Sequence, residues 1–422
     1  MPLSSTAAAG ALPGVAIISS NFWPEPTGIS QTTGEFASFL AARGYRVAVA
    51  TAMPYYPEWQ IRQGYRRRLW MREDIEGVQV YRAWHLVSPR PSTLTRLAHE
   101  ITLCAFLIPQ IVRAVKRASV VYVVSPDLSV AVLGLWVARV LGRPRVLVVK
   151  DVMPDAAVDL GMMRNPALIG ASRWLARRAY ASASVIHTLG DGMRRRIEAL
   201  NPARPIEIVP DTIDAGELAP PAPAGNLFRA RFVPPGTFAV VHSGNMGKKQ
   251  DLDLLLRAAD LVRDDSAIHF YVFGDGAVRE RFLRRRDELR LANVSHHPLQ
   301  ERSLLPHMLA GADVLLVSQL AEVGDLVVPS KLITAMAAGA MVVAACSADS
   351  ETARLVTESG GGIRIESGDA SALVETIGRL RREEVDAEPF RIKARAYATE
   401  HFDRNVVYGR VAEELNVLAT HR

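Results

Sequence analysis

Phe238-Ala239-Val240-Val241-His242-Ser243-Gly244-Asn245-Met246-Gly247-Lys248-Lys249-Gln250 decides the fold class of this chain. The apolar run reads as a strand, the glycines as a tight turn, and Gln250–Leu261 as the helix that follows. A strand that feeds a glycine turn and then a helix leaves backbone N–H groups free to face a ligand, and the helix dipole favours an anion there. Gly244 and Gly247 permit close backbone approach. Lys248 and Lys249 add positive charge, so the segment holds both parts of a phosphate site. It carries neither GxGxxG nor GxxxxGK[ST], the two common nucleotide fingerprints. An ordinary strand–turn–helix with solvated lysines gives the same pattern.

The same unit occurs over 200 residues earlier as Val15-Ala16-Ile17-Ile18-Ser19-Ser20 followed by Asn21 to Gly28. Around it, strands at Arg46–Thr51, Val78–Arg82, Ser119–Val124, Arg145–Val149 and Ser184–His187 alternate with helices at Ser30–Arg43, Leu94–Lys116, Leu128–Leu141 and Asn165–Ala183. Short strands alternating with helices predict a mostly parallel sheet covered on both faces. The Pro-rich stretch from Pro210 to Gly225 breaks the composition, and the pattern restarts after it. The reading is an α/β chain of two Rossmann-like domains facing one another across a cleft. A tail takes residues 1–13, the first domain 14–210, a linker 211–226 and the second domain 227–395. A helix over 396–422 returns to the first domain.

Bulk numbers agree with two domains, since 422 residues exceed one ordinary core. Fifty Lys and Arg against 44 Asp and Glu give a net charge of +6, a tilt towards anionic partners. Cys104 and Cys346 make no disulfide framework, which suits a reducing cytosol. The first thirteen residues lack a basic, apolar leader pattern, and Arg113 and Lys116 interrupt the longest apolar stretch. The expected location is the cytoplasm, with peripheral contact at the inner face of the cell membrane. That contact rests on Arg62, Arg66, Arg67, Arg68 and Arg72, interleaved with Trp59, Tyr65, Leu69 and Trp70, together with Ser92–Lys116. Basic groups among aromatics suit an anionic membrane or a nucleic-acid backbone, and a solvated face equally well. No nucleic-acid module accompanies them, so no nucleic-acid partner is expected.

Ligands of open α/β sheets sit beyond the C-terminal ends of the strands. That rule selects Asn21–Gly28, Ser125–Asp127, Lys150–Asp159, Gly244–Lys249, Gly274–Gly276 and Glu322–Lys331. Lys331 follows Pro329-Ser330 at a helix start, where the dipole disfavours a cation. A shared anionic ligand explains it, and so does simple solvent exposure. Glu322, Asp325 and Glu351 are acids able to accept sugar or ribose hydroxyls, or are loop and helix-start acids. Asp151, Asp155 and Asp159 either orient acceptor hydroxyls or cap helices. The histidines form no metal set, and no GxSxG elbow is present.

Taken in order, the blocks Phe22-Trp23-Pro24-Glu25-Pro26-Thr27-Gly28, Ala42-Arg43-Gly44-Tyr45-Arg46-Val47, Asp151-Val152-Met153-Pro154-Asp155 with Leu160-Gly161, Gly244–Gln250, Gly274-Asp275-Gly276 and Pro329-Ser330-Lys331-Leu332 to Ala338-Gly339 resemble the retaining glycosyltransferases of family 4, the GT-B fold. Within that family the chain is similar to bacterial enzymes of colanic-acid, exopolysaccharide and O-antigen type, and the similarity runs from Val15 to near the end. The resemblance implies a hexosyl- or N-acetylhexosaminyltransferase that takes a nucleoside-diphosphate sugar, UDP-sugar first, with no metal and no cofactor. The acceptor is a saccharide or a small molecule, either lipid-linked at a membrane or a soluble natural product. A nucleotide-sugar 2-epimerase and a non-catalytic nucleotide-sugar-binding protein are the readings from other classes. Lys249, with Lys248 beside it, matches the basic grip on the diphosphate, and Gly28 the glycine that approaches the donor phosphates. Where relatives place an arginine this chain has Asn245, so either the diphosphate clamp is thinner or Lys331 completes it. The usual pair of glutamates falls on Leu326 and Thr334, with Glu322 and Asp325 nearby but out of register, so the family's usual sugar and ribose contacts do not carry over; Glu351 is a further candidate polar contact or a helix-start acid. The family's front-face mechanism gives the acceptor proton to the leaving phosphate. Asp151 and Asp155 then orient the acceptor, with Asp151 near the place of a catalytic histidine. The resemblance leaves the oligomeric state open.

Overall fold

The computed structural model describes residues 12–26, 28–90, 92–125, 127–153, 165–200, 203–321 and 330–420. These fall into two compact α/β units. The first takes Met1–Leu189, Met193–Pro210 and Tyr408–Arg422, and the second Gly190–Gly192 and Asp211–Val407.

The sheet of the first unit contains β1 (Gly14–Ile18), β2 (Arg46–Ala52), β3 (Trp70–Ile75), β4 (Val78–Ala83), β5 (Val120–Ser125), β6 (Arg145–Val149), β7 (Val185–Thr188) and β8 (Ile206–Ile208). Its order is β3-β4-β2-β1-β5-β6-β7-β8. Every pairing is parallel except β3 with β4. Strands buried on both faces need continuous apolar runs, and β1 and β5 are buried along their whole length. The edge strand β3, Trp-Met-Arg-Glu-Asp-Ile, alternates exposed and half-buried residues. Charges on an edge discourage further pairing, and they hide the strand from an apolar-run reading.

The helices here are α1 (Ile29–Ala42), α2 (Thr93–Lys116), α3 (Leu128–Val140), α4 (Pro166–Ser182) and α5 (Asp191–Leu200). Among the described residues, α2 is the one helix whose length and composition would let it cross a membrane. Here Leu103, Leu107, Ile111, Ala114 and Val115 pack it into the core.

The second unit orders β9 (Phe238–Ser243), β10 (Ile268–Phe273), β11 (Val294–His297), β12 (Val314–Ser318), β13 (Val342–Ala345) and β14 (Gly362–Ile365) as β11-β10-β9-β12-β13-β14, all parallel. Counted along the chain, this is the doubly wound 3-2-1-4-5-6 order. Neighbouring residues serve opposite faces: Val241 and Leu315 belong to one core, Val240 and Leu316 to the other. Its helices are α6 (Leu227–Phe232), α7 (Leu252–Leu261), α8 (Arg279–Leu289), α9 (Leu305–Gly311), α10 (Ser330–Ala337), α11 (Glu351–Ser359), α12 (Ala370–Arg381) and α13 (Glu388–Phe402).

Two boundaries differ from the sequence reading. The stretch assigned as a linker, 211–226, belongs to the second unit. The Asp214 carboxylate accepts the N–H groups of Gly216 and Glu217 at 2.9 Å and pairs with Arg404. Ile213 exchanges backbone hydrogen bonds with Phe402 and Arg404. Leu218 enters the core and Asn226 caps α6. Its prolines therefore mark a fitted strap, not a loose tether. The expected helix over 396–422 is two helices: α13 stays in the second unit, and α14 (Arg404–Thr420) enters the first unit from Tyr408 onward. There Tyr408 packs on Phe36 and Phe39, and the Tyr45 hydroxyl donates to Ala412 O at 3.3 Å.

Candidate functional site

In each unit the connections reverse direction beside the first strand, between β9 and β12 and between β1 and β5. Such switch points open the crevices where α/β sheets bind ligands.

At the second unit's switch point the turn after β9 is built from glycine contacts. A Cβ on Gly274 would lie 1.9 Å from Gly244 O, and one on Gly276 would lie 2.5 Å from Met246 O. The two turns touch backbone to backbone: Met246 N–H donates to Asp275 O at 2.8 Å, and Val278 N–H to Met246 O at 3.1 Å. Leu320 N–H donates to Lys249 O at 3.1 Å, tying the turn to the segment after β12. Among the described residues, the amides of Asn245, Gly247, Lys248 and Lys249 meet no acceptor. A run of such amides in a turn is a nest for an anion.

Lys331, in the first turn of α10, packs under this turn, with its Cε 2.8 Å from where a Gly244 Cβ would be. Its Nζ donates to Asn245 O and Gln250 Oε1, both at 2.8 Å, and lies 3.4 Å from His242 Nε2. Burial lowers the ammonium's pKa to about 8. Burial, and then Lys331, lowers His242 to about 3, so the imidazole is neutral. A neutral histidine beside it spares the lysine a like charge.

Lys248 and Lys249 are exposed on the turn, as is Asn245. Lys248 and Gln250 line a neighbouring cavity of about 370 Å³. Asp275 accepts Met246 N–H at its backbone O, and its carboxylate caps Gly276 N–H at 2.7 Å and meets Arg279 at 3.3 Å. Glu351 departs from the sugar-contact expectation. It is buried in the first turn of α11, and both carboxylate oxygens are engaged by Arg354. Glu322 and Asp325 lie outside the described residues, as do Asp155 and Asp159.

The first unit's switch point is acidic and aromatic. Glu25, buried between the loops after β1 and β2, accepts Tyr55 N–H and Tyr56 N–H at 2.8 Å and the Asn21 amide at 2.9 Å. Asp127 caps α3, and the Ser129 hydroxyl bridges it to Glu100 of α2. Burial, and then the Asp127 charge, raises the Glu100 pKa to about 7. Tyr55, His85 and His99 pack ring to ring, with centroids 4.8–5.2 Å apart, and burial brings His85 to about 3. Gly28 starts α1 at φ +58°, with open space where a Cβ would be. Asp151 follows β6, is exposed, and already has a partner within the chain. Sequence reading named Asp127 and missed Glu100. The available signal was the lone carboxylate of helix α2, whose other charged residues are basic. Glu25 was quoted without a role, and Gln250 and His242 were missed as partners of Lys331. Among the described residues, no three His, Cys, Asp or Glu side chains converge as a metal site.

Residues 27–212 match the "Glycosyl transferase 4-like domain" family and residues 237–383 the "Glycosyl transferases group 1" family. The chain is 30% identical over 396 residues to the Escherichia coli K12 protein named "Putative colanic acid biosynthesis glycosyl transferase WcaI", covering 92% of this chain and 96% of that one. Its fold is similar to Anabaena Alr3699/HepE, solved with UDP, at TM-score 0.70 and 15% identity over 96% of this chain and all of that one. It is also similar to WaaG, a glycosyltransferase of lipopolysaccharide biosynthesis, at TM-score 0.64 and 16% identity over 97% of this chain and all of that one.

Proposed function

Because this chain belongs to the family 4 glycosyltransferases, with the two Rossmann-like domains of the GT-B fold, we propose that it transfers a sugar, with retention and without a metal, from a UDP-sugar to a saccharide hydroxyl. One observation carries the donor assignment: unpaired turn amides, two exposed lysines and a half-buried ammonium meet at the switch point of one sheet. HepE, which shares the fold, was solved with UDP, and that supports uridine as the base.

In the reaction the bond from the sugar's anomeric carbon to the β-phosphate oxygen breaks, and negative charge grows on the departing diphosphate. Fixed donors aimed at growing charge stabilise the transition state more than the ground state. Lys249, Lys248 and the amides of Asn245–Lys249 supply them, and Lys331 holds the turn in shape while adding charge from below. The acceptor oxygen bonds to the anomeric carbon on the face the diphosphate leaves, and its proton passes to the leaving phosphate oxygen. Acceptor hydroxyls are oriented by the first unit, through Asp151 and the Asp127–Glu100 pair. No strong general base is then needed.

Calorimetric titration with UDP, GDP and ADP tests the donor half. UDP is expected to bind at least about tenfold tighter than the others, and Lys249→Ala to weaken it about tenfold, the worth of one charge-assisted hydrogen bond. Equal UDP binding by wild type, Lys249→Ala and Lys331→Ala would overturn the assignment. Anomer analysis of the product tests retention, and full turnover in excess chelator tests metal independence.

A further inference from the structure

We propose that Glu100 is a positioning residue: it works as a neutral carboxylic acid and, through Ser129, holds the ionised Asp127 carboxylate where an acceptor hydroxyl meets it. This rests on the reading that the first unit orients the acceptor. A count of hydrogens carries it. The Ser129 hydroxyl oxygen stands within hydrogen-bond distance of Glu100 Oε2 and, at 2.8 Å, of Asp127 Oδ1. The two carboxyl groups also hydrogen-bond each other. An ionised carboxylate only accepts, and a serine has a single side-chain hydrogen to give. With both acids ionised, that one hydrogen would have to serve every contact in the trio. A proton retained on the pair supplies a second hydrogen and spares two like charges a shared place.

The surroundings decide which acid keeps the proton. Asp127 is the N-cap of α3, accepts Val130 N–H at 3.3 Å and stands at the positive end of the helix dipole. Both features favour its charged form. Glu100 lies within α2, half-buried, with no helix end to favour its charge. Among the described residues, no cation pairs with either acid. The other titratable groups facing them are neutral. Burial pushes the Tyr55 phenol up and the His99 imidazole down. It also pushes up the Cys104 thiol, which meets Ser129 from the next turn of α2. Arg96, one turn before Glu100, lies instead against Trp59, its guanidinium 5.8 Å from the ring. With Glu100 brought to about 7, the acid keeps its proton up to neutral pH.

A neutral Glu100 does what an ionised one cannot. Its O–H donates to Ser129 Oγ, the Ser129 O–H donates to Asp127 Oδ1, and a chain of bonds running one way fixes the carboxylate. Once Glu100 ionises, Ser129 can serve only one of two anions, and their repulsion moves Asp127 from its place. A group that orients a substrate tolerates only about 0.5 Å of such movement. Acceptor affinity therefore follows the neutral fraction of Glu100. A tie between α2 and α3 with no part in acceptor binding would change stability with pH and leave the acceptor KM level.

Two measurements on the full chain test it. In a pH titration followed by carboxyl-carbon and amide NMR, Glu100 should titrate at about 7, and the Val130 amide should shift with the same midpoint. Glu100→Gln keeps a neutral donor towards Ser129 and should abolish the amide shift. With UDP-glucose as donor and p-nitrophenyl glucoside as acceptor, the acceptor KM should rise about tenfold from pH 6 to pH 8 as the neutral fraction falls. Glu100→Gln should hold the low KM throughout, and Glu100→Ala the high one. A Glu100 that titrates at its ordinary value, an amide shift that survives in Glu100→Gln, or an acceptor KM level with pH overturns the proposal. So does a Glu100 midpoint that falls towards 4.5 when magnesium is added, which assigns the place to a cation. A chain that turns over no glucoside at any pH bears on the transfer reading alone, and the titration then decides the proposal.

Discussion

After β9 the chain turns on Gly244 with an ammonium packed beneath it; after β1 the corresponding loop is held by Glu25, a carboxylate that gathers three N–H groups. Beside the first turn lie exposed lysines and unpaired amides. Beside the second lie Asp127, Glu100 and a pair of buried imidazoles. The two sheets share a winding order around their switch points, so topology fixes where a ligand goes and leaves open which ligand it is. Chemistry is set by the few side chains at the strand ends. The second unit offers what a diphosphate needs, and the first what hydroxyls need.

The comparison breaks most completely at Gly274. Gly274→Ala drives a methyl into the Gly244 carbonyl. The expected cost is about 3 kcal/mol in stability, with UDP affinity down about 100-fold as the turn is displaced. Thermal melts and UDP titration measure both.

Lys331→Met comes next. At pH 7 it should weaken UDP about 10- to 100-fold by removing a charged donor. The pH dependence follows from proton counts. Between pH 8 and 10.5 the folded chain has released a proton that the unfolded chain keeps, so wild-type stability gains with rising pH there relative to the variant. UDP, which favours the charged ammonium, should bind wild type more weakly as pH passes 8, and the variant with no such break.

Glu100→Gln probes the acidic side. Its raised pKa means the folded state holds a proton through the window from 4.5 to about 7 that the unfolded chain has lost. Wild-type stability therefore falls across that window, and the penalty is full above it. The variant should match wild type at pH 4 and exceed it at pH 8 by on the order of 1–3 kcal/mol, with UDP binding unchanged. A variant less stable at pH 8 would show that the carboxylate is better solvated than its surroundings imply.

The smallest effect is expected from Asp127→Asn, which keeps the helix cap but removes the like charge. Burial is the larger cause of the Glu100 shift, so only part of it should relax. A carboxyl-carbon NMR titration should place Glu100 lower than in wild type but still above its ordinary value.

Much of the architecture was readable because buried parallel strands must be apolar, and Val15–Ser20 or Phe238–Ser243 can be little else. The charged edge strand Trp70–Ile75 and the short β8 and β14 escaped because edge strands lack that signature. The Gly244–Lys249 turn was legible as a turn from its glycines, and its lysines marked it as a candidate for an anion. Its support was not legible. Lys331 reaches Asn245 across 86 residues, and no local pattern reports such a contact. Glu351 shows the converse: an acid at a plausible place was already taken by Arg354, three residues on. In the same way the Glu100–Asp127 pair joins an outer helix to a strand end, a meeting that only the folded sheet arranges.

The part of α14 from Tyr408 onward has a consequence for biosynthesis. Tyr408 completes the aromatic packing around Phe36, and Glu414 hydrogen-bonds His187 at 2.7 Å. A ribosome must therefore translate past Glu414 before the amino-terminal half can finish folding. A premature stop just before Tyr408 would leave the later half's own core whole and injure the earlier one.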